Sequence, residues 1–201
     1  VEGAKDLSLL LRAGALPAPL TVLEERTVGA GLGSDSIQYG MIATVIGIVL
    51  VVGVMILSYG LFGVFAVISL AFNIAMIFAG MTLLGATLTL PGIAGIVLVI
   101  GTTVDANVLI YERMRDEYKN GRTLMGALDA GYTRAMSAII DANVTSLLGA
   151  VLMFWFGSGP IKGFAVTLSF GIITSLFTAI MLNRLMVITW VKIAKPKALP
   201  I

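Results

Sequence analysis

The sequence VIGIVLVVGVMIL (residues 45–57) contains no charged side chain, and it lies within a longer stretch, residues 36–104, that contains none either. This stretch is 69 residues long. A helix needs about 20 consecutive apolar residues to cross the hydrocarbon core of a membrane, so the stretch is long enough for three crossings. With 58% hydrophobic and 12% charged residues over the whole chain, the composition is that of an integral membrane protein.

A second apolar stretch, residues 135–183, contains only two charged side chains, Asp141 and Lys162, and provides two more crossings. A membrane β-barrel would need segments of about 10 residues with alternating polarity, and these stretches do not alternate. Gly and Pro in the segments LSYG, TLPG and GSGPIKG separate the helices. We therefore predict an all-α membrane protein, a polytopic bundle of five transmembrane helices. The predicted spans are near residues 39–58, 62–85, 92–111, 136–156 and 164–185.

The segment between the third and fourth predicted spans, residues 112–134, is predicted to be a long charged loop. It carries five basic residues, and four more lie at the end of the chain. Because basic residues near the span ends favour the cytoplasmic side, we expect this loop and the tail, residues 196–201, to be cytoplasmic. Residues 1–37, before the bundle of residues 38–195, are then extracytoplasmic. Apolar side chains at spacings of four predict a short interfacial helix over residues 123–135, with an ordinary solvated connector as the alternative.

The tetrapeptide DANV occurs twice, at residues 105–108 and 141–144. Asp105 and Asp141 are each 18 residues from residue 123, near the centre of the intervening loop. Two antiparallel helices joined by this loop would therefore place them at the same depth. At 1.5 Å per residue that depth is about 9–10 Å inside the cytoplasmic edge of the membrane. The repeat thus predicts one polar layer within the membrane.

Asp105 is the strongest candidate for a functional residue in this layer. A carboxylate inside a membrane is costly and is rarely exposed to lipid, so we expect Asp105 to point into the bundle. Apolar surroundings favour the protonated form of a carboxyl, and ionisable residues at membrane depth mark proton or ion pathways. The predicted proton or ion pathway consists of Asp105, Asp141, Asn107, Asn143, Thr102 and Thr145.

The alternative for the amides and hydroxyls of this set is structural: they would hydrogen-bond between helices and hold them together. Asn107 lies about 200° around the helix from Asp105, so the third helix must be enclosed on both sides. Ala138, Ala142 and Ser146 recur every four positions on the fourth helix, and small residues at this spacing let helices approach closely. No Lys or Arg occurs at the depth of Asp105 in any predicted span, so a cationic partner would belong to another subunit.

The composition also excludes several kinds of site. The sequence has no Cys and no His, so disulfides, thiolate catalysis and imidazole-ligated metals are excluded, and we expect no cofactor other than a coupling ion. A net charge of +2 gives no reason to expect nucleic-acid binding. Intramembrane aspartyl proteases also carry two aspartates on adjacent helices, but the residues before Asp105 and Asp141 do not match their motifs. We expect no enzymatic activity. An exporter of lipids or small molecules and a purely structural subunit are the alternative functions.

Three segments resemble the C-terminal membrane half of the SecD/SecF family of protein-export membrane proteins, which is part of the resistance-nodulation-division superfamily. They are LRAGALPAPLTVLEERTVGAGLGSDSI (residues 11–37), LPGIAGIVLVIGTTVDANVLIYERMRDE (residues 90–117) and residues 131–180, which contain the second DANV. The resemblance covers nearly the whole chain. It implies half of a pseudo-symmetric assembly of the resistance-nodulation-division type.

The resemblance also implies partners and a role. The chain would work with SecF beside the SecYEG channel and its accessory subunits, in the bacterial plasma (inner) membrane. It would use the proton motive force, or a sodium gradient, to drive preprotein translocation. Asp105 matches the family aspartate held responsible for proton passage, and SecF would supply its cationic partner. Residues 1–37 resemble the tail of the family's large extracytoplasmic domain.

Overall fold

The computed structural model describes residues 4–5, 7–8, 30–86, 88–196 and 198–199. Residues Val1–Ser34 and Asp35–Ile201 form two separate units, and the second contains the helical bundle. The predicted extracytoplasmic tail, residues 1–37, lies mostly outside the described residues, as does half of the predicted cytoplasmic tail, residues 196–201.

The described residues form helices and connecting turns, without strands. The helices are α1 (Ala30–Leu83), α2 (Leu90–Lys119), α3 (Leu124–Phe156), α4 (Pro160–Phe177) and α5 (Arg184–Ala194), and a π-helical segment (Thr178–Asn183) joins α4 to α5. Within the described ranges, four helical segments are long and apolar enough to cross a membrane: Asp35–Leu83, Leu90–Lys119, Leu124–Phe156 and Pro160–Ala194. The prediction of an all-α membrane protein is confirmed.

Helix α1 is interrupted at Gly60, where the backbone has φ 52° and ψ −122°. Side chains are disfavoured at such positive φ values, which glycine tolerates. Close by, the Met55 carbonyl lies so near Gly63 that a Cβ at position 63 would overlap it. Residues 55 and 63 would be about 12 Å apart along a straight helix, so the chain folds back at Gly60. The two parts are limb 1 (residues 35–59) and limb 2 (residues 61–83).

Helix α2 is the centre of the bundle. One apolar cluster joins Leu70 and Ile77 of limb 2 to Val99 of α2, and Ile48 of limb 1 packs against the same cluster. Helix α4 lies close to α2 at Gly171, where an added Cβ would overlap the Val99 side chain. A second cluster lies towards the other end of α2 and includes Tyr59, Phe62, Tyr111 and Tyr132, with Trp190 packed against it.

Threonine caps define where two of the helices begin. The Thr89 hydroxyl accepts a hydrogen bond from the Gly92 amide at the start of α2 (3.2 Å). The Thr123 hydroxyl accepts one from the Gly126 amide at the start of α3 (3.3 Å). Such caps satisfy amides that have no partner within the helix. The connection between α2 and α3 is thereby limited to residues 120–123.

The charged segment, residues 112–134, therefore differs from the prediction of a long loop with a short interfacial helix. Helix α2 continues to Lys119, and residues 124–134 are the first turns of the continuous helix α3. No separate interfacial helix forms in this part of the described chain. The physical reason is that Glu, Arg, Met, Lys, Leu and Ala, which are abundant here, all favour helix. The fall in hydropathy marks where the predicted spans end, but it does not end the helices.

Candidate functional site

The six predicted pathway residues divide between two sides of the structure. Asn107 is fully buried and Asn143 is 9% exposed. Asp105, Asp141 and Thr145 are exposed, and Thr102 is half-buried. The expectation that Asp105 points into the bundle is therefore wrong for this chain. Asp105 and Asn107 lie on opposite sides of α2, and the described helices of this chain cover Asn107 and leave Asp105 exposed.

Asp105 lies in a shallow groove of about 140 Å³ between α2 and α3. This α2–α3 groove is lined by Thr102, Asp105, Ala106, Leu109, Ala138, Ile139, Ala142, Asn143 and Ser146. Its α3 wall includes the ridge of Ala138, Ala142 and Ser146 that the sequence predicts. The small side chains keep the groove open. Within the described chain Asp105 forms no ion pair, so a carboxylate stands in an apolar, open groove without a cation.

Asp141 does not share this groove. It is exposed on α3 and is absent from the groove lining. The two DANV aspartates consequently do not form a carboxyl pair in one pocket. In the described residues, no group of three acidic side chains is placed where it could hold a metal ion. Asp105 is therefore the acidic side chain that lines the α2–α3 groove.

The predicted interhelical role of the small polar residues holds for only one of them. The Thr102 hydroxyl donates to the Val99 carbonyl (3.1 Å), and the Thr145 hydroxyl donates to the Asp141 carbonyl (2.8 Å). Asn143 donates to the carbonyl of Ile139 (2.7 Å). These bonds are all within one helix and do not connect neighbours. Only Asn107 bonds to another helical segment.

The partner of Asn107 is Asn183, at the end of the π-helical segment. The Asn183 Nδ2 donates to Asn107 Oδ1 (2.7 Å). The Tyr111 hydroxyl, which has one proton to donate, lies 2.9 Å from both Asn183 Oδ1 and the Phe62 carbonyl. This interior network connects α2, limb 2 and the last membrane helix. π-Helical turns often occur at functional positions, and this one ends at the asparagine that contacts α2.

A second interhelical bond lies farther along limb 2, where Asn73 Nδ2 donates to the Thr103 hydroxyl (2.8 Å). Sequence reasoning missed Asn73, Thr103, Tyr111 and Asn183 as members of a polar interior. The available signal was the presence of Asn73 in the charge-free stretch and of Asn183 at the end of the last apolar one. Neither residue belongs to a repeat, so neither was singled out.

Within the described residues, the charged segment forms three ion-pair clusters at the same end of the bundle. The Glu117 carboxylate, 5% exposed, pairs with Arg122 (2.7 Å) and with Arg134. It thereby connects the end of α2, the turn and the first turns of α3. Arg184 pairs with Asp129 (3.1 Å) and lies over the Tyr132 ring.

The third ion-pair cluster lies beside the Gly60 turn. Glu112 Oε1 accepts hydrogen bonds from the Tyr59 hydroxyl (3.0 Å) and from Arg115 Nη1 (2.7 Å). The neutral phenol supplies the proton of its hydrogen bond to the carboxylate. The cluster ties the Gly60 turn to the charged end of α2.

Comparison with known proteins gives a family match over most of the chain. The family model described as "Protein export membrane protein SecD/SecF, C-terminal" matches residues 15–193. A protein translocase subunit SecD from Rhodobacter capsulatus is 59% identical over 201 residues, which is all of this chain and 36% of that relative. One from Rickettsia prowazekii is 51% identical over 99% of this chain and 38% of that relative. The chain thus spans somewhat over a third of the length of these relatives.

Two solved structures are also similar. The crystal structure of SecDF from Thermus thermophilus, described as a translocon-associated membrane protein, is 38% identical, with a TM-score of 0.85. The match covers 98% of this chain and 27% of that one. SecDF in a super-membrane-facing form is 40% identical, with a TM-score of 0.73, over 91% of this chain and 25% of that one.

Proposed function

The chain belongs to the SecD/SecF family of protein-export membrane proteins, and we propose that it is the membrane half of a SecD-type subunit that assists preprotein translocation. The observation that carries this proposal is the similarity to protein translocase subunits SecD over the full chain, 59% identical in one case. The chain covers 36% of that relative. Contact with the preprotein, the SecYEG channel and its accessory subunits would therefore involve the rest of the protein as well.

We propose that the chain crosses the plasma membrane five times, as half of a pseudo-symmetric assembly. The interruption at Gly60 supports counting α1 as two crossings, because a 54-residue helix would be about 80 Å long and the hydrocarbon core is about 30 Å thick. The hydrogen bond from Tyr59 to Glu112 supports a Gly60 turn on the same side of the membrane as the charged segment, residues 112–134, which carries five basic residues. Basic connections face the cytoplasm. Residues 1–37 are then extracytoplasmic, and residues 196–201 are cytoplasmic.

In the proposed mechanism, Asp105 takes up and releases the coupling ion at an interface with a second membrane subunit of the SecF type. Its exposure in the α2–α3 groove supports this, because an unpaired carboxylate facing lipid at this depth is unfavourable. A partner helix packed in the groove would cover the carboxylate and could supply the cation that the described residues do not. A proton is the expected coupling ion, and Na⁺ is the alternative. Protonation of Asp105 would weaken its attraction to the cation and change how the two subunits pack.

The test is Asp105→Asn in the full-length protein, assembled with its partner in vesicles that carry a proton gradient. Preprotein export and proton conductance are both measured. The matched control is Asp141→Asn, which removes an exposed carboxyl of the second DANV outside the groove. Loss of export and conductance in Asp105→Asn alone, with normal assembly, would support the proposal. Normal export and conductance in Asp105→Asn would reject Asp105 as the coupling residue.

A further inference from the structure

Four buried polar side-chain atoms have no hydrogen-bond partner within the described residues. One is the Tyr132 hydroxyl, and the other three, in the interior of the bundle, are Ser69 Oγ, Asn73 Oδ1 and Asn107 Nδ2. All three side chains are fully buried. Polar groups buried in a membrane bundle are strongly destabilising when they remain unpaired, so each of these atoms requires a partner.

The three atoms lie close to one another along the bundle. Limb 2 and α2 are held together at two points, by the bond from Asn73 to Thr103 and by the bond from Tyr111 to the Phe62 carbonyl. Between these two bonds the helices run antiparallel, so Ser69, one turn from Asn73, lies at the level of Asn107, one turn from Thr103. One turn is about 5.4 Å. The three unpartnered atoms therefore lie at neighbouring levels, within about one helical turn, on the buried sides of limb 2 and α2.

The donors and acceptors left free in this layer match those of a water molecule. Asn73 uses its NH₂ group on Thr103, whose own hydroxyl donates to the Val99 carbonyl (2.7 Å), so the Asn73 oxygen is the free acceptor. Asn107 uses its oxygen on Asn183, so its NH₂ group is the free donor. Ser69 can donate or accept. A free donor disfavours a bare cation in this layer, whereas a water molecule can accept from Asn107, donate to Asn73 and bond to Ser69.

We propose that Ser69, Asn73 and Asn107 bind ordered water inside the bundle, between limb 2 and α2. This water site lies on the side of α2 opposite Asp105, and it belongs to this chain alone. It is independent of the proposed proton coupling and of any partner subunit. It would hold α2 in a fixed rotation about its axis, and this rotation directs Asp105 into the α2–α3 groove.

X-ray radiolytic labelling of the full-length protein, followed by mass spectrometry, tests this site, because hydroxyl radicals form wherever water is bound. Tyr111 is the reporter: it is fully buried and lies one turn from Asn107. Met114 is the dry control, since it is equally buried but packs against Gly131 of α3. Exposed Tyr39 is the positive control. We expect labelling of Tyr111, corrected for intrinsic reactivity, to be several-fold faster than labelling of Met114.

Two variants assign the water to these residues. Ser69→Ala removes one of the groups that bind the water and should lower Tyr111 labelling several-fold. Ser69→Thr keeps the hydroxyl and should leave Tyr111 labelling unchanged. Tyr111 labelling no faster than that of Met114 in the unaltered protein would overturn the proposal, because the layer would be dry. Labelling of Tyr111 that is insensitive to Ser69→Ala would also overturn it, since the water would lie elsewhere. If the Ser69→Ala protein does not assemble, the ratio of Tyr111 to Met114 labelling in the unaltered protein decides whether the layer contains water.

Discussion

Asp105 and Asn107 are two positions apart on α2 and face opposite environments. The Asp105 side chain is exposed in the α2–α3 groove, whereas the Asn107 side chain is fully buried and bonded to Asn183. Successive residues of a helix are about 100° apart around its axis, so this separation is built into the spacing. Helix α2 therefore has an inner polar face that this chain completes. Its outer polar face, which carries Asp105, is left exposed by the described residues of this chain.

Ala142→Leu is expected to weaken association with the proposed partner subunit. Ala142 is exposed and lines the groove, so a larger side chain would occupy the space that we propose for a partner helix. Overpacking of this kind costs about 1–3 kcal/mol, or about 5- to 150-fold in affinity. The measurement is copurification of the partner from detergent. Val144→Leu is the matched control, because Val144 is exposed on the same helix but does not line the groove; equal losses in the two variants would contradict the proposed interface.

Asn183→Leu is expected to destabilise the bundle by about 1–3 kcal/mol. It leaves Asn107 Oδ1 without its donor and removes one of the two acceptors available to the Tyr111 hydroxyl. Thermal unfolding in detergent measures the change. Asn143→Leu is the control, because the Asn143 amide donates only to a carbonyl of its own helix. If Tm falls equally in both variants, the hydrogen bond between Asn183 and Asn107 adds no stability beyond that of an amide bonded within its own helix.

Glu117→Gln is expected to loosen the connection between α2 and α3. The substitution removes the charge that pairs with Arg122 and Arg134, and ion pairs with exposed partners contribute about 0.2–1 kcal/mol each. Trypsin cleavage after Arg122 in inverted vesicles should become faster. The neighbouring Asp116 is exposed, so Asp116→Asn should leave the cleavage rate unchanged. An unaltered rate in Glu117→Gln would show that the turn is held by its backbone alone.

Gly63→Ala is expected to destabilise the fold-back of α1. A Cβ at this position would overlap the Met55 carbonyl, which is backbone and cannot move aside cheaply. Strain of this kind costs about 1–3 kcal/mol. Gly53→Ala is the control, since an added Cβ at Gly53 has no neighbour within 4 Å. Thermal unfolding should show a lower Tm for Gly63→Ala and no loss for Gly53→Ala; equal Tm values would contradict the close approach of Gly63 to the Met55 carbonyl.

The absence of cysteine from the chain makes the proposed five crossings directly measurable. Single cysteines at the exposed positions Ser58, Asn120 and Ser158 are introduced into the full-length protein without other cysteines. With a membrane-impermeant maleimide, Ser58→Cys and Asn120→Cys should react from the cytoplasmic side. Ser158→Cys should react from the opposite side. Reaction of Ser58→Cys from the extracytoplasmic side would exclude a cytoplasmic turn at Gly60.

The predictions that hold for the fold depend on local properties of the chain. The charge-free stretch of residues 36–104 determines that the protein crosses a membrane, because unpaired charges and exposed backbone are costly in hydrocarbon. The predicted spans 92–111, 136–156 and 164–185 each lie within helical segments. The end of a span and the end of a helix are different properties, however. Hydropathy predicts where a span ends. The helices extend beyond the spans because residues 112–119 and 124–134 also favour helix.

By itself, the sequence determined that Asp105 and Asn107 lie on opposite sides of one helix, because that follows from the helical repeat. Only the tertiary structure decided which of them faces inward. Asn183 is 76 residues from Asn107 in the chain, and Asn73 is 30 residues from Thr103. Local periodicity cannot reveal pairings over such distances. They arise when limb 2 and the last membrane helix pack against the same side of α2, which leaves the α2–α3 groove, and Asp105 within it, uncovered.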